Sequence, residues 1–267
     1  MVRSVTGQAI GLGPARMRRL ASRALAAIAL IVGAAAIGFL VWALTPLGPS
    51  ADALAALESG DGVTVTHAEG AWLFLPETAS DAPETGLVFY PGGRVDARSY
   101  APFARALAAE GHAVAIVKMP LSLAVLKPGA ASGILAMPQL AGVSRWAAGG
   151  HSLRGAMAAQ FVADGAPECV RGLLLLAAYA PEGADLSDSG LYVVDVTASL
   201  DTVLDADAWA SGKALLPGDT LRVTVPGGNH AGFGSYGAQS GDAEATITPD
   251  EQLAITVRAA DELLDSL

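Results

Sequence analysis

Cysteine and histidine are scarce in this chain, charge is thin, and basic residues crowd one end. Among 267 residues there is one cysteine, Cys169, so no internal disulfide can form. An oxidising compartment is therefore allowed but not required. Cys169 precedes the apolar run VRGLLLLAA and reads as a small buried residue. Only 16% of residues are charged against 52% apolar, a balance that a soluble domain rarely shows. Five of the 16 basic residues (Arg3, Arg16, Arg18, Arg19 and Arg23) stand before residue 24, where there is no acid. What remains sets 11 basic residues against 26 acidic ones. So acidic a body excludes binding to nucleic acid or an anionic bilayer through its general field. There is no internal repeat and no low-complexity tract.

The apolar excess has a location. Ala24 to Leu44, ALAAIALIVGAAAIGFLVWAL, carries no charge. About 20 residues of helix cross a bilayer core. Positive flanks stay cytoplasmic, and Trp42 suits the far interface. The expected layout is a basic cytoplasmic N-terminus at 1–23 and a single transmembrane anchor at 24–44. A linker at 45–59, opening with TPLGPS, leads to an extracytoplasmic domain at 60–267. The rival is a cleaved signal peptide, with Ser50-Ala51-Asp52-Ala53 as a small-x-small site and a secreted product. Signal apolar cores are usually shorter, about 7–15 residues.

Beyond the linker, strands and helices alternate. Ala51 to Glu58 reads as a short helix, and residues 62–66 and 70–75 as two strands joined by a turn. Further strands are expected at 87–90, 113–117, 145–148, 170–178, 191–196 and 221–225. Helices are expected at 100–110, weakly at 130–140, at 152–163 and from Pro249 to about 264. The last opens with Thr248-Pro249-Asp250-Glu251, a capping box with proline at the first helical position. This alternation predicts an α/β fold, a mostly parallel twisted sheet covered by helices on both faces.

One stretch carries chemistry. GGHSLRGAMAA, residues 149–159, lies between a predicted strand and a predicted helix. It approaches the G-x-S-x-G nucleophile elbow, whose serine projects above the sheet edge at a helix N-terminus. Gly150 stands where the first glycine belongs and Arg154 where the second does, with Gly155 one position late. Arg154 has three readings: a stem along the helix with its guanidinium in solvent, a Cβ that forces the turn open and slows the reaction, or a cation serving the site by holding an anionic group. The second follows from the reason glycine is used there, since no flexible side chain removes a Cβ.

A reactive serine needs a base, and the base an orienting acid. Of the four histidines, His67 lies in the early hairpin, His112 before a strand, and His151 beside the serine, where successive residues point apart. His230, in VPGGNHAGFGSYG, follows the last strand and is the candidate base. Asp195, Asp201, Asp205 and Asp207 compete for the acid. Asp195 lies within a strand, and Asp205 and Asp207 look like helix-capping residues. Asp201 is chosen, at the strand exit. Ser152, Asp201 and His230 then run in the order nucleophile, acid, histidine. For an oxyanion hole, Leu153 offers one backbone N–H and Gly93, in the Pro91-Gly92-Gly93-Arg94 loop, the other.

With LVFYPGG at 87–93, GGHSLRGAMAA at 149–159 and GGNHAGFGSYG at 227–237 in place, the chain resembles the α/β-hydrolase superfamily. More narrowly, it resembles its lidless branch near dienelactone hydrolase, the α/β-hydrolase fold-5 proteins. The resemblance covers roughly residues 60–265. It implies hydrolysis of an ester or related acyl bond on a small substrate through an acyl-enzyme, with no metal or organic cofactor. Relatives usually have glycine where Arg154 stands. Only AYAPEGADLSDS separates Ala178 from Leu191, too short for a cap domain, so an open site is expected. A non-catalytic binding protein on the same fold is the alternative, and an acyltransferase using the same triad is a variant.

Overall fold

The computed structural model describes residues 14–77, 83–118 and 130–267. It has two compact units, 1–45 and 46–267. The first holds one helix, α1 (Pro14–Leu44). Among the described residues no helix is long and apolar enough to cross a membrane. The second unit takes in residues 46–59, read above as linker.

That unit is built on eight strands: β1 (Val63–Ala68), β2 (Ala71–Pro76), β3 (Thr85–Tyr90), β4 (Ala113–Val117), β5 (Arg145–His151), β6 (Val170–Leu176), β7 (Tyr192–Ala198) and β8 (Leu221–Val225). Its helices are α2 (Ala51–Ala55), α3 (Ala101–Ala109), α4 (Ala130–Leu135), α5 (Leu153–Ala163), α6 (Ala206–Gly212) and α7 (Pro249–Asp265). The sheet order is β1-β2-β4-β3-β5-β6-β7-β8. β1 and β2 pair antiparallel, β2 joins β4 antiparallel, and every pairing from β4 to β8 is parallel. This is the mostly parallel sheet that the alternation of elements predicts.

The apolar runs explain why the sheet is covered twice. In β3, Leu87 and Phe89 enter one core with α3 and α7, while Val88 and Tyr90 enter another with α4 and α5. In β6, Leu174 and Leu176 face the first core and Leu173 and Leu175 the second. A strand buried on both faces must be apolar at every position. β6 ends at Leu176, two residues short of the expected 178, because Ala177 takes φ 45, which no strand continues. The expected helix at 130–140 is likewise divided. α4 stops at Leu135, and Pro138, which lacks an N–H, starts a separate 3-10 turn over Pro138–Leu140. The capping box of α7 forms as read: Glu251 N–H donates to Thr248 Oγ1, and Thr248 N–H to Glu251 Oε2.

Chain order places a crevice. From β3 the chain moves outward to β4, then crosses back to β5 on the other side of β3. Ligands bind outside the carboxyl ends of strands at such a switch point. The loop after β3 and the turn after β5 meet there, because Tyr90 pairs with Gly150.

One carboxylate lies inside this framework. Asp195, in β7, is 1% exposed and accepts a 2.9 Å hydrogen bond from Trp209 Nε1 of α6. Burial pushes its carboxyl up to about 6, against the partial relief from Trp209, Arg222 and Lys213. A raised acid pKa stabilises the fold below the unfolded value, and that stability is lost as pH rises through about 6. Asparagine mimics the protonated form. The stability of Asp195→Asn relative to wild type should therefore rise between pH 4 and 7, by on the order of 2–3 kcal/mol. Thermal unfolding across that range checks it, and a pH-independent difference would contradict it.

Candidate active site

Ser152 follows β5 directly and precedes α5, with φ 58 and ψ −140. A non-glycine residue held there is strained, and it stays only because its surroundings fix it. Ser152 N–H donates to the Leu176 carbonyl at 2.9 Å, and Gly155 N–H donates to the Ser152 carbonyl at 2.9 Å. The turn is closed by backbone packing. A Cβ on Gly150 would lie 2.7 Å from the Arg154 carbonyl oxygen. One on Gly155 would lie 2.7 Å from the Gly150 carbonyl oxygen and would collide with Ala178 Cβ.

This corrects the expectation about Arg154. The small residue that the turn demands after the serine is Gly155, and Arg154 contributes only its backbone to the tight approach. Its Cβ does not open the turn. Nor does its guanidinium reach solvent, because Arg154 is 1% exposed. Burial draws its pKa down to about 10, with Tyr100 acting slightly the other way, so it remains a cation at neutral pH.

His230 and Asp201 come together from the loops after β8 and β7. His230 Nδ1 lies 2.8 Å from Asp201 Oδ2, and both side chains are nearly fully buried. Asp201 Oδ1 accepts from the N–H groups of Val203 and Leu204, each at 2.8 Å. Burial raises the Asp201 carboxyl, but its bond to His230 and these N–H groups outweigh it and hold it below the usual range. Two of its rivals are otherwise engaged, and the third, Asp207, is exposed on α6. Asp195 is bonded within the core, and Asp205 caps α6 through the N–H groups of Asp207 and Ala208. His230 Nε2 is buried and has no hydrogen-bond partner among the described residues.

The two loops are tied to each other. Leu200 N–H donates to the Gly228 carbonyl at 2.9 Å. Asp242 accepts from Ala231 N–H at 2.8 Å and from Thr202 N–H at 3.4 Å, touching the neighbours of both His230 and Asp201. Gln252, buried on α7, accepts from Asn229 N–H and donates to the Asn229 carbonyl. Neither Asp242 nor Gln252 announces itself in the sequence.

His151 is the larger surprise. Its ring does not turn away but packs against His230, centroids 4.5 Å apart, with Phe233 at 5.7 Å. Its Nδ1 shares a 2.7 Å hydrogen bond with the Tyr100 hydroxyl, which accepts Gly92 N–H at 2.9 Å. Burial, then the neighbouring His230, hold His151 well below the usual histidine range, so it is neutral at neutral pH. The only sequence signal was its place among four histidines. The same contacts explain Gly92, where a Cβ would lie 2.7 Å from both His151 Nδ1 and the Tyr100 hydroxyl. Because Gly92 N–H is spent on Tyr100, the next N–H of that loop belongs to Gly93. Leu153, at the first position of α5, is 66% exposed.

His67 and His112 lie elsewhere. His67 stacks on Trp72, centroids 4.6 Å apart. His112 precedes β4, at the opposite edge of the sheet from Ser152. It joins Asp261 and Asp265 in the only cluster among the described residues whose donor atoms could converge on a metal ion. There its ring bonds Thr85 at 2.6 Å and Asp261 at 2.9 Å.

Comparison with known proteins agrees with the fold. The profile of the alpha/beta hydrolase family matches residues 86–254. No curated protein matches the chain. Among solved structures, a bacterial heroin esterase aligns at 18% identity, over 80% of this chain and 88% of its own, with a TM-score of 0.51. A thermostable esterase from Pseudomonas putida aligns at 16% identity, over 80% and 86%, with a TM-score of 0.56. A CIB-like hydrolase from Thermoplasma acidophilum aligns at 15%, over 75% and 98%, with a TM-score of 0.53. At these identities the likeness is one of fold.

The elbow geometry is directly testable. Gly155→Ala should lower stability by about 1–3 kcal/mol, because its Cβ meets backbone and Ala178 Cβ. Gly93→Ala, whose Cβ meets nothing within 4 Å, should stay within about 0.5 kcal/mol of wild type. Denaturant titration of both variants checks the contrast.

Proposed function

Because the chain belongs to the alpha/beta hydrolase family, we propose that it is a membrane-anchored serine hydrolase cleaving an ester or related acyl bond. The observation that carries this reading is the pairing at the sheet edge. A strained serine stands at a helix N-terminus, and the ring of its neighbour His151 packs on a buried histidine oriented by a carboxylate.

Ser152 Oγ attacks the acyl carbonyl carbon while His230 Nε2 takes the hydroxyl proton. Asp201 holds Nδ1–H, which fixes the ring tautomer and stabilises the imidazolium that forms. The oxyanion receives hydrogen bonds from the N–H groups of Leu153 and Gly93. Collapse of this intermediate expels the alcohol, which leaves with the proton from His230. Water then attacks the acyl-enzyme with His230 again as base, releasing the acid and restoring Ser152. His151 takes no proton in this scheme. Neutral and wedged between Tyr100 and His230, it keeps the histidine and the glycine loop in register. Only residues 177–191 separate β6 from β7, which leaves no room for a cap domain at that connection and suits short or exposed acyl groups.

Ser152→Ala should lower turnover of p-nitrophenyl acetate by at least about a thousandfold with unchanged melting temperature. Residual activity within tenfold of wild type would contradict the assignment.

The anchor is the second part of the proposal. Around α1, Leu25, Ile28, Leu30, Ile31, Ile37 and Phe39 all stay exposed. The described part of α1 is not by itself long and apolar enough to cross a membrane, so the anchor rests on the uncharged run 24–44 of the sequence. With the basic flank inside, the hydrolase unit lies on the extracytoplasmic side. The full chain should stay in the membrane pellet through an alkaline carbonate wash, and its release into the supernatant would count against an uncleaved anchor.

A further inference from the structure

The second unit opens with a stretch that runs beside the glycine loop. Leu47 N–H donates to the Arg94 carbonyl at 2.7 Å, and Asp96 N–H donates to the Leu47 carbonyl at 3.0 Å, a parallel bridge between Leu47 and Val95. The Leu47 side chain packs on the first core. Further on, Ser50 N–H donates to the Ser235 carbonyl at 2.8 Å, so the same stretch also closes on the loop that carries His230. Ser50 then caps α2, its Oγ accepting Ala53 N–H at 3.1 Å, and Ala53 is fully buried. Beyond α2, Arg105 of α3 donates to the Glu58 and Gly60 carbonyls at 2.7 and 2.6 Å. Bonds made by the main chain ask for no particular side chain, which is why TPLGPS reads as a plain linker.

What Leu47 holds is the turn that aims an oxyanion donor. The Gly92 carbonyl and Gly93 N–H belong to one planar trans peptide and point opposite ways. Val95 N–H donates to that carbonyl at 3.1 Å, which closes the turn and directs Gly93 N–H away from it. Arg94 is the third residue of this turn and takes φ 57, a conformation that turns give to glycine. A side chain there is strained and persists only where neighbours over-determine the backbone. Leu47 is such a neighbour, since its two bonds grip the chain on either side of Val95, the residue that closes the turn.

We propose that residues 47–50 brace the catalytic loops, with Leu47 and Ser50 as positioning residues that act through their main chain. The inference rests on the serine hydrolase reading, with Gly93 as an oxyanion donor. Leu47 keeps the glycine-loop turn in its strained form, and Ser50 steadies the loop of His230. A cut after Ala53, where the sequence offers a small-x-small site, would remove both bonds along with the apolar segment. The uncut chain is therefore the active form, and release by such a cut switches it down.

The test uses the full-length protein and p-nitrophenyl acetate, with active sites counted by fluorophosphonate labelling carried to completion. Leu47→Pro deletes the N–H that holds the Arg94 carbonyl. Its kcat per labelled site should fall about tenfold with KM within about twofold, because the donor it misplaces acts in the transition state. Leu47→Ala keeps both main-chain bonds and should hold kcat per site within about twofold of wild type. A Leu47→Pro protein with fewer labelled sites but a wild-type rate at each would show a purely structural role and overturn the brace. Hydrogen exchange on the wild type tests the brace without any variant. The Leu47 and Ser50 amides should be protected, and exchange as fast as in an unfolded chain would overturn it. Either contrary result, in a wild type that hydrolyses the ester, leaves the hydrolase reading standing. Folded wild type that neither hydrolyses the ester nor takes the label would overturn both.

Discussion

The structure turns on the approach between Gly150 and Gly155. β5 and α5 can be joined by a single residue only if the chain folds back on itself at Ser152, with φ 58. That fold-back brings the Gly150 carbonyl within reach of where a Cβ on Gly155 would stand. Everything proposed for the site follows from it. It puts the serine oxygen at a helix N-terminus, leaves Leu153 N–H at the first helical position, and brings His151 up against His230 and Tyr100. Strain of this kind persists where surrounding packing over-determines the backbone. Here β3, β6 and Ala178 do so.

Around that turn, polar groups brace the loops alongside the apolar packing of Val95, Ala231, Phe233 and Tyr236. Tyr100 joins the glycine loop to His151, and Asp242 and Gln252 grip the residues flanking His230 and Asp201. Residues before the domain proper join in. Leu47 N–H donates to the Arg94 carbonyl at 2.7 Å, and Ser50 N–H donates to the Ser235 carbonyl at 2.8 Å. The stretch after α1 is therefore bonded to both the glycine loop and the histidine loop. Networks of this sort hold a site rigid when every member is satisfied.

Much of the fold was legible because its signals are local. Apolar runs bounded by glycine and proline marked the strands, and the Thr248 capping box marked the start of α7. Register was legible in outline, since a βαβ order leaves few arrangements. The pairing of His230 with Asp201 could be read from chain order. What escaped was whatever depends on three-dimensional packing. Gly155 serves the turn in place of the residue at Arg154 because it is Gly155 that folding sets against the Gly150 carbonyl and Ala178 Cβ. His151 turns inward because Tyr100, far away in sequence, offers its hydroxyl. Asp242 and Gln252 act only through backbone groups brought beside them by folding, and no motif encodes that.

The central claim is that Ser152 is a nucleophile activated by His230. The most direct measurement is labelling with a fluorophosphonate, followed by peptide mass analysis. One adduct on Ser152 is expected in the wild-type protein, with labelling abolished in Ser152→Ala and strongly slowed in His230→Ala. Folded wild-type protein that takes no label between pH 6 and 9, or takes it on another residue, would contradict the account.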